Sequence, residues 1–200
     1  MNNKNNHRTY KAIFDQWNRN RTPLQFREKI YYYPQPDEIF RPCYLSKSHK
    51  DDKFFKARHN LPRHWFVSNL GTIITVKRGK VELIIGQFCC DDRLQVSFYY
   101  KQDRFVIARE SIVALVFNDI IPCTGDAEKL IEEKGLEAFR RRPDFKCIEL
   151  HHINGYLHPK DPMNVLQIMQ NLPSNCKSDA IQLVTRLEHF KIHHPIPTVA

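Results

Sequence analysis

The sequence predicts an α+β fold, with a β-rich middle and helices on both sides of it. The middle of the chain alternates apolar and polar residues and is rich in Val, Ile and Thr, which is typical of strands. Two stretches after it begin with acidic or capping residues and follow a helical apolar pattern. An apolar content of 42%, of which aromatic residues are a large part, indicates a chain that folds around a core.

Residues 1–60 are expected to form a basic N-terminal extension. They hold 13 Lys and Arg against 6 Asp and Glu, so +7 of the net charge of +9 lies here. We expect a helix within residues 9–30, interrupted by Pro23, and irregular chain elsewhere. Cations interleaved with Tyr and Trp suit a polyanion, nucleic acid first and an anionic membrane surface second. The alternative is a solvated arm that only aids solubility.

Residues 61–122 are expected to form a β-rich module. Alternating strands run through residues 66–86, and Gly71, Gly79 and Gly86 mark the breaks between them. A hairpin is predicted over 93–108 with its turn at 101–103, and a short apolar helix follows over 109–120.

Residues 123–146 are predicted to be a helical connector. Thr124 can cap a helix over 125–142 that has Asp126 in its first turn. Arg140, Arg141 and Arg142 end this helix and are candidate DNA contacts. Such contacts to phosphate position a protein without reading the base sequence.

Residues 147–200 predict two strands, a long loop and a helix. Asn154 and Gly155 stand between two alternating arms, which is a strong hairpin signal. A helix is expected over 178–194, capped by Ser178 or Asp179 and stopped before Pro195. Its predicted buried stripe is Leu183, Leu187 and Phe190.

Histidine is concentrated in this last segment, which holds six of the ten histidines between residues 151 and 194. His189 and His193 are four residues apart, so on a helix they project from one face and can grip one metal ion. His151 and His152 point to opposite faces of a strand. One of the two can complete a three-histidine metal site and the other can act on a substrate as a base. The alternative is four surface histidines.

The segments IELHHINGY and AIQLVTRLEHFKIH resemble the HNH endonuclease motif, a ββα-metal finger. The resemblance implies that His151, His189 and His193 are metal ligands and that His152 is the general base. It implies one divalent metal ion as cofactor. Imidazole ligands favour Zn, Ni or Mn, whereas relatives with Asp and Asn ligands resemble Mg or Mn enzymes.

The segment WFVSNLGTIITVKRG is similar to a small β-module that precedes HNH motifs in phage and intron-encoded homing endonucleases. In those proteins a segment like IARESIVALVFNDIIP follows it, as it does here. The two resemblances cover residues 62–194 in the same order as in the family. They imply a DNA-binding role for the module, in which Asn69 is a candidate contact.

The loop between the two halves of the HNH motif carries further candidates. The asparagine that braces the metal loop in the family falls on Ala180, so this role passes to Asn164 or Asn175. Lys160 or His158 is expected to contact a phosphate. The implied function is a metal-dependent DNA endonuclease that nicks DNA or cuts both strands. The alternatives are a catalytically decayed scaffold that binds nucleic acid within a larger assembly, and a structural module stabilised by metal.

The expected partner is DNA, without a membrane or a small-molecule cofactor, and a protein partner or a dimer stays open. No apolar run approaches the roughly 18 residues that a membrane span needs, and no apolar leader begins the chain. The six cysteines form no C-x-x-C pair, so we expect reduced thiols and a cytoplasmic location.

Overall fold

A computed structural model describes residues 3–27, 30–43, 61–88, 94–100, 102–117, 120–135, 138, 146–153 and 181–194. These ranges hold four α-helices and eleven strands in several small sheets, so the predicted α+β class is confirmed. The helices are α1 (Asn3–Asn20), α2 (Arg109–Val116), α3 (Gly125–Lys134) and α4 (Arg186–His193). The strands are β1 (Leu24–Arg27), β2 (Ile30–Tyr32), β3 (Phe40–Pro42), β4 (Trp65–Ser68), β5 (Ile73–Lys77), β6 (Lys80–Ile84), β7 (Gln87–Phe88), β8 (Leu94–Tyr100), β9 (Asp103–Ala108), β10 (Ile148–His152) and β11 (Ile181–Thr185).

The largest sheet is antiparallel and has the strand order β3-β4-β5-β6. Its β5–β6 hairpin turns at Arg78 and Gly79, whose φ angles are 50° and 78°. Positive φ at both central residues is the geometry of a tight two-residue hairpin turn. The strands that the sequence predicts over residues 66–86 are therefore confirmed.

The front of the chain packs on this sheet. The helix expected within residues 9–30 is confirmed up to Asn20, but residues 24–27 form β1. The expectation of irregular chain elsewhere is wrong for residues 3–8, which extend α1, and for strands β2 and β3. Phe14 and Trp17 on α1 are both buried, and the Phe14 ring stacks on Phe66 with 3.9 Å between ring centres. They lie three residues apart on one face of the helix, which covers the apolar side of the sheet. The helix ends at Asn20, before Pro23, rather than continuing past it.

A second sheet has the order β7-β8-β9 and leads directly into α2. The predicted hairpin is confirmed, with Phe98 opposite Phe105. Arg109, the first residue of α2, is buried and ties the two sheets together. Its guanidinium donates to the carbonyls of Gly71 at 3.0 Å and Ile84 at 2.6 Å.

The C-terminal segment pairs β10 with β11 in antiparallel register, from Ile148 opposite Thr185 to His152 opposite Ile181. The partner of β10 among the described residues is therefore β11, not the arm that the sequence places directly after Asn154 and Gly155. Those two residues lie outside the described ranges.

The predicted helix over 178–194 is wrong in its first half, because residues 181–185 form β11 and the helix begins at Arg186. Ile181 and Leu183 are two apart and both buried, so they share the inner face of a strand. The predicted stripe is also wrong beyond Leu183. Leu187 and Phe190 are 49% and 53% exposed.

The chain between α2 and α3 runs alongside β11. The Leu183 amide donates to the Pro122 carbonyl at 2.8 Å, and the Thr124 amide donates to the Leu183 carbonyl at 3.0 Å. Thr124 caps α3 as predicted, but the helix ends at Lys134, where Gly135 has a positive φ, rather than at Arg142. One apolar core runs from α2 through α3 to the β10–β11 pair.

The described residues bear on the predicted reduced thiols and on the predicted lack of a membrane span. Their cysteines, Cys43, Cys123 and Cys147, are free thiols. Among the helices that the structure describes, none combines the length and apolar character needed to cross a membrane.

Candidate metal centre

Strand β10 supplies two side chains to one side of the β10–β11 pair. Residues two apart on a strand share a face, so Glu149 and His151 point the same way and His152 points the other way. Helix α4 follows β11 without a linker and lies over the face that carries Glu149 and His151. The turn into α4 is a capping box: the Thr185 hydroxyl accepts from the Glu188 amide, and the Glu188 carboxylate accepts from the Thr185 amide.

Three histidines converge where the strand meets the helix. One ring nitrogen from each of His151, His189 and His193 lies within 4.8 Å of the other two. The Nε2 atoms of His189 and His193 are 3.2 Å apart, as expected for two residues one helical turn apart. The His151 ring stands 5.4 Å from each of the other two rings, centre to centre. These are the three residues that the sequence predicts as metal ligands.

The donor set fits a divalent metal ion. Nitrogens bound to zinc at about 2.1 Å in a tetrahedron lie roughly 3.4 Å apart. The His189–His193 pair, at 3.2 Å, is close to this separation, and one ring nitrogen of His151 lies within 4.8 Å of both. Within the described residues, His151 Nδ1 is buried without a hydrogen-bond partner, which is unfavourable for a polar atom unless something binds it.

The electrostatics of the cluster favour neutral imidazole at His151. Burial lowers the pKa of His151, and the proximity of His189 and His193 lowers it further. Only a neutral imidazole has a lone pair with which to bind a metal.

Glu149 is a functional candidate that the sequence analysis missed. Its Oε2 lies 2.8 Å from His189 Nδ1, so the ring nitrogen that faces away from the cluster is held by a carboxylate. A carboxylate on the far nitrogen fixes the tautomer and the orientation of a metal-binding histidine. The signal was present in the sequence, because Glu149 precedes His151 by two residues and shares its strand face.

Arg186 completes this arrangement on the other side of Glu149. Its Nε lies 3.5 Å from Glu149 Oε1, and both side chains are more than two-thirds buried. Arg186 and His189 are three residues apart on α4, so both face β10. The carboxylate of Glu149 is therefore held between a cation and the ring of His189.

Glu188, next to His189 in sequence, points instead toward the connector before α3. Its Oε2 accepts hydrogen bonds from the Thr124 hydroxyl at 2.7 Å and from the Thr185 amide and hydroxyl, both at 2.8 Å. Burial alone would raise the pKa of Glu188, but these hydrogen bonds outweigh it and lower the pKa.

His152 lies outside the cluster of three. The sequence predicts it to be the general base rather than a metal ligand. It is half-buried at the end of β10, opposite Ile181. His194 is exposed beyond the end of α4, where its ring packs against Phe190 at 4.6 Å between centres.

The remaining predicted site residues fall in other places. Asn69 lies in the turn after β4, where its side-chain oxygen accepts from the Ile39 amide at 2.7 Å. This bond gives Asn69 a role in joining β3 to the sheet, and its DNA contact stays a prediction. Lys160, Asn164, Arg140, Arg141 and Arg142 lie outside the described residues, as do His158, Asn175 and Ala180.

Comparisons with known proteins give a distant likeness. No protein-family model matches the sequence, and no match is found among curated proteins. The structure is similar to that of the HNH homing endonuclease I-HmuI, a protein that binds and cleaves DNA. The TM-score is 0.43 and the two sequences are 14% identical. The match covers 81% of this chain and 61% of that one, so this chain spans about three fifths of its length. A likeness of this size carries no weight in assigning a function.

Proposed function

We propose that this protein is a metal-dependent DNA endonuclease of the HNH type. One observation carries the proposal: His151, His189 and His193 bring three ring nitrogens within 4.8 Å of one another, and Glu149 braces His189 from behind. The described residues bring three ligands together, and three protein ligands would leave positions on the ion open for a phosphate oxygen and water, as catalysis requires. The net charge of +9 is consistent with a polyanionic substrate.

The reaction assigned to the site is hydrolysis of a phosphodiester bond. His152, in its neutral form, takes a proton from a water molecule. The water oxygen forms a bond to phosphorus as the bond from phosphorus to the 3′ oxygen breaks in line with it. The 3′ oxygen takes up a proton from solvent and His152 then releases its proton to solvent, so the products are a 5′ phosphate and a 3′ hydroxyl. A divalent ion at the three histidines would supply positive charge beside the phosphoryl and leaving oxygens.

The proposal assigns separate tasks to the two histidines that end β10. His151 serves as a ligand because it faces α4, and His152 is left to act on the substrate because it faces the other way. An all-imidazole ligand set favours zinc, nickel or manganese over magnesium. Lys160, as a phosphate contact, and Asn164, as the bracing residue, keep their predicted roles in this proposal.

The test is incubation of the purified protein with supercoiled plasmid and each of Mg²⁺, Mn²⁺, Ni²⁺ and Zn²⁺. We expect metal-dependent nicking or linearisation that falls by about 10²–10⁴-fold in His152→Ala, the range for loss of a general base. His194→Ala is the matched control, because His194 also lies next to the cluster in sequence but outside it in space. Equal cleavage by His152→Ala and wild type would contradict the role given to His152.

A second candidate is a nucleic-acid-binding protein built on an HNH scaffold that no longer cleaves. The observation that favours it is Ala180, which has no side-chain amide at the position where the family carries its bracing asparagine. The same plasmid assay separates the two candidates. A mobility shift without cleavage under any of the four metals favours the binding protein.

A further inference from the structure

The hydroxyl of Thr124 lies where the first turn of α3 meets the first turn of α4. It accepts a hydrogen bond from the Ala127 amide at 3.3 Å, which caps α3. It also donates to Glu188 Oε2 at 2.7 Å, and the same oxygen caps α4 through Thr185. The N-terminal ends of two helices are thus joined through one hydroxyl and one carboxylate.

The backbone on either side reinforces this junction. Residues 122–124 form a parallel bridge to β11 at Leu183, with hydrogen bonds of 2.8 and 3.0 Å. From the opposite side, the Arg186 amide donates to the Cys147 carbonyl at 2.8 Å, at the start of β10. The start of α4 is therefore held between β10 and the connector that leads into α3.

Among the described residues, α4 is also tied to β10 by the contacts of Arg186 and His189 with Glu149. All eight of its residues are described, and each is half-buried or exposed. A helix of two turns with no fully buried residue gains little from packing, so its placement depends on the contacts at its first turn and on those with Glu149. His189 follows Glu188 directly, and His193 lies one turn further along.

We propose that Thr124 is a positioning residue for the histidine cluster, acting through Glu188 to fix where α4 begins. The inference rests on the metal site of the proposed function but not on DNA cleavage. It makes Thr124, at the start of α3, part of the support of the metal centre. Since coupling between sites is reciprocal, metal binding should also stabilise the first turn of α3.

The experiment is titration of the full chain with Zn²⁺ in four variants: Thr124→Val, Thr124→Asp, Thr124→Ser and Thr72→Val. Thr124→Val removes both hydrogen bonds of the hydroxyl. Thr124→Asp keeps an acceptor for the Ala127 amide but faces the Glu188 carboxylate with a like charge. Thr72→Val is the control, because Thr72 also has a buried hydroxyl that hydrogen-bonds, to Tyr32 at 3.1 Å, but lies in the β4–β5 turn.

We expect the Kd for zinc to rise about tenfold in Thr124→Val and Thr124→Asp, the low end of the range for outer partners of metal ligands. Thr124→Ser and Thr72→Val should bind zinc like wild type. Wild-type affinity in Thr124→Asp would overturn the inference, because it would show that only the cap of α3 matters. If Thr124→Val does not fold, the Asp and Ser variants decide the question by the same criteria.

Hydrogen exchange supplies a readout that a purely structural role would not move. In wild type, zinc should slow exchange of the Ala127 amide, and Thr124→Asp should abolish this zinc-dependent protection while Thr72→Val keeps it. Zinc binding without any change at Ala127 in wild type would overturn the coupling alone. Wild-type protein that binds none of the metals would overturn the metal site, and this inference with it.

Discussion

Glu149 is held by one side chain on each of its two oxygens. His189 lies 2.8 Å from Oε2 and Arg186 lies 3.5 Å from Oε1, so the carboxylate has little freedom to turn. With Nδ1 of His189 engaged by Glu149, its Nε2 is left to face His193 and the centre of the cluster. Glu149 thus aims a ligand that belongs to a different element of the fold.

Removing this carboxylate should weaken metal binding without unfolding the chain. We expect Glu149→Leu to raise the Kd for zinc roughly 10–100-fold, because a ligand histidine loses the partner that orients it. Glu149→Gln keeps an oxygen acceptor and should lose less. Calorimetric titration with zinc measures both, with Glu82→Leu, an exposed position on β6, as the control. Unchanged affinity in Glu149→Leu would mean that His189 needs no support from β10.

At the scale of elements, α1 is part of the folded core. Its buried face places Phe14 against Phe66 and Trp17 against Phe40, in a cluster that includes Ile74 of the central strand β5. Its outer face carries Lys11 in an exposed ion pair with Asp15. The two faces therefore differ sharply in what they contribute to stability.

Phe14→Ala should reduce the free energy of unfolding by about 3–5 kcal/mol, the usual cost of truncating a buried phenylalanine. Lys11→Ala on the same helix should change it by less than about 1 kcal/mol, because exposed ion pairs are worth little. Urea denaturation followed by circular dichroism measures both. Similar small losses in the two variants would show that α1 is a detachable arm after all.

The elements that the sequence predicted best are those with local signals. The turn at Arg78 and Gly79 and the cap at Thr124 depend on residues close together in the chain, so pattern alone identified them. The start of α4 was misplaced because Leu183, Leu187 and Phe190 have helical spacing, although Leu183 lies in strand β11. A local signal was nevertheless present, since Thr185 and Glu188 have the spacing of a capping box.

At the scale of the whole molecule, the sequence could not predict which segments meet. The partner of β10 comes from beyond residue 180, and no local pattern encodes a pairing across so long a connection. The packing of α1 on the sheet and of residues 122–124 on β11 is likewise decided by long-range burial. The histidine cluster was predicted because His189 and His193 are four residues apart. They share a helix face whether the helix begins at residue 178 or at Arg186.

The same long-range contacts make the metal centre a property of the assembled fold. One apolar core connects α2, α3 and the β10–β11 pair. The strand and helix that carry the three histidines are therefore supported in part by residues outside 147–200. The three candidate ligands therefore come from residues 147–200, whereas α2 and α3 contribute to the core beneath them.

The most direct test of the three-histidine metal centre is the number of metal ions that the protein binds. Calorimetric titration with zinc should show one ion per chain in wild type and in His194→Ala. His189→Ala should lose that binding, since two histidines remain of the three. Zinc binding in His189→Ala with the stoichiometry and affinity of wild type would contradict a metal centre built from His151, His189 and His193.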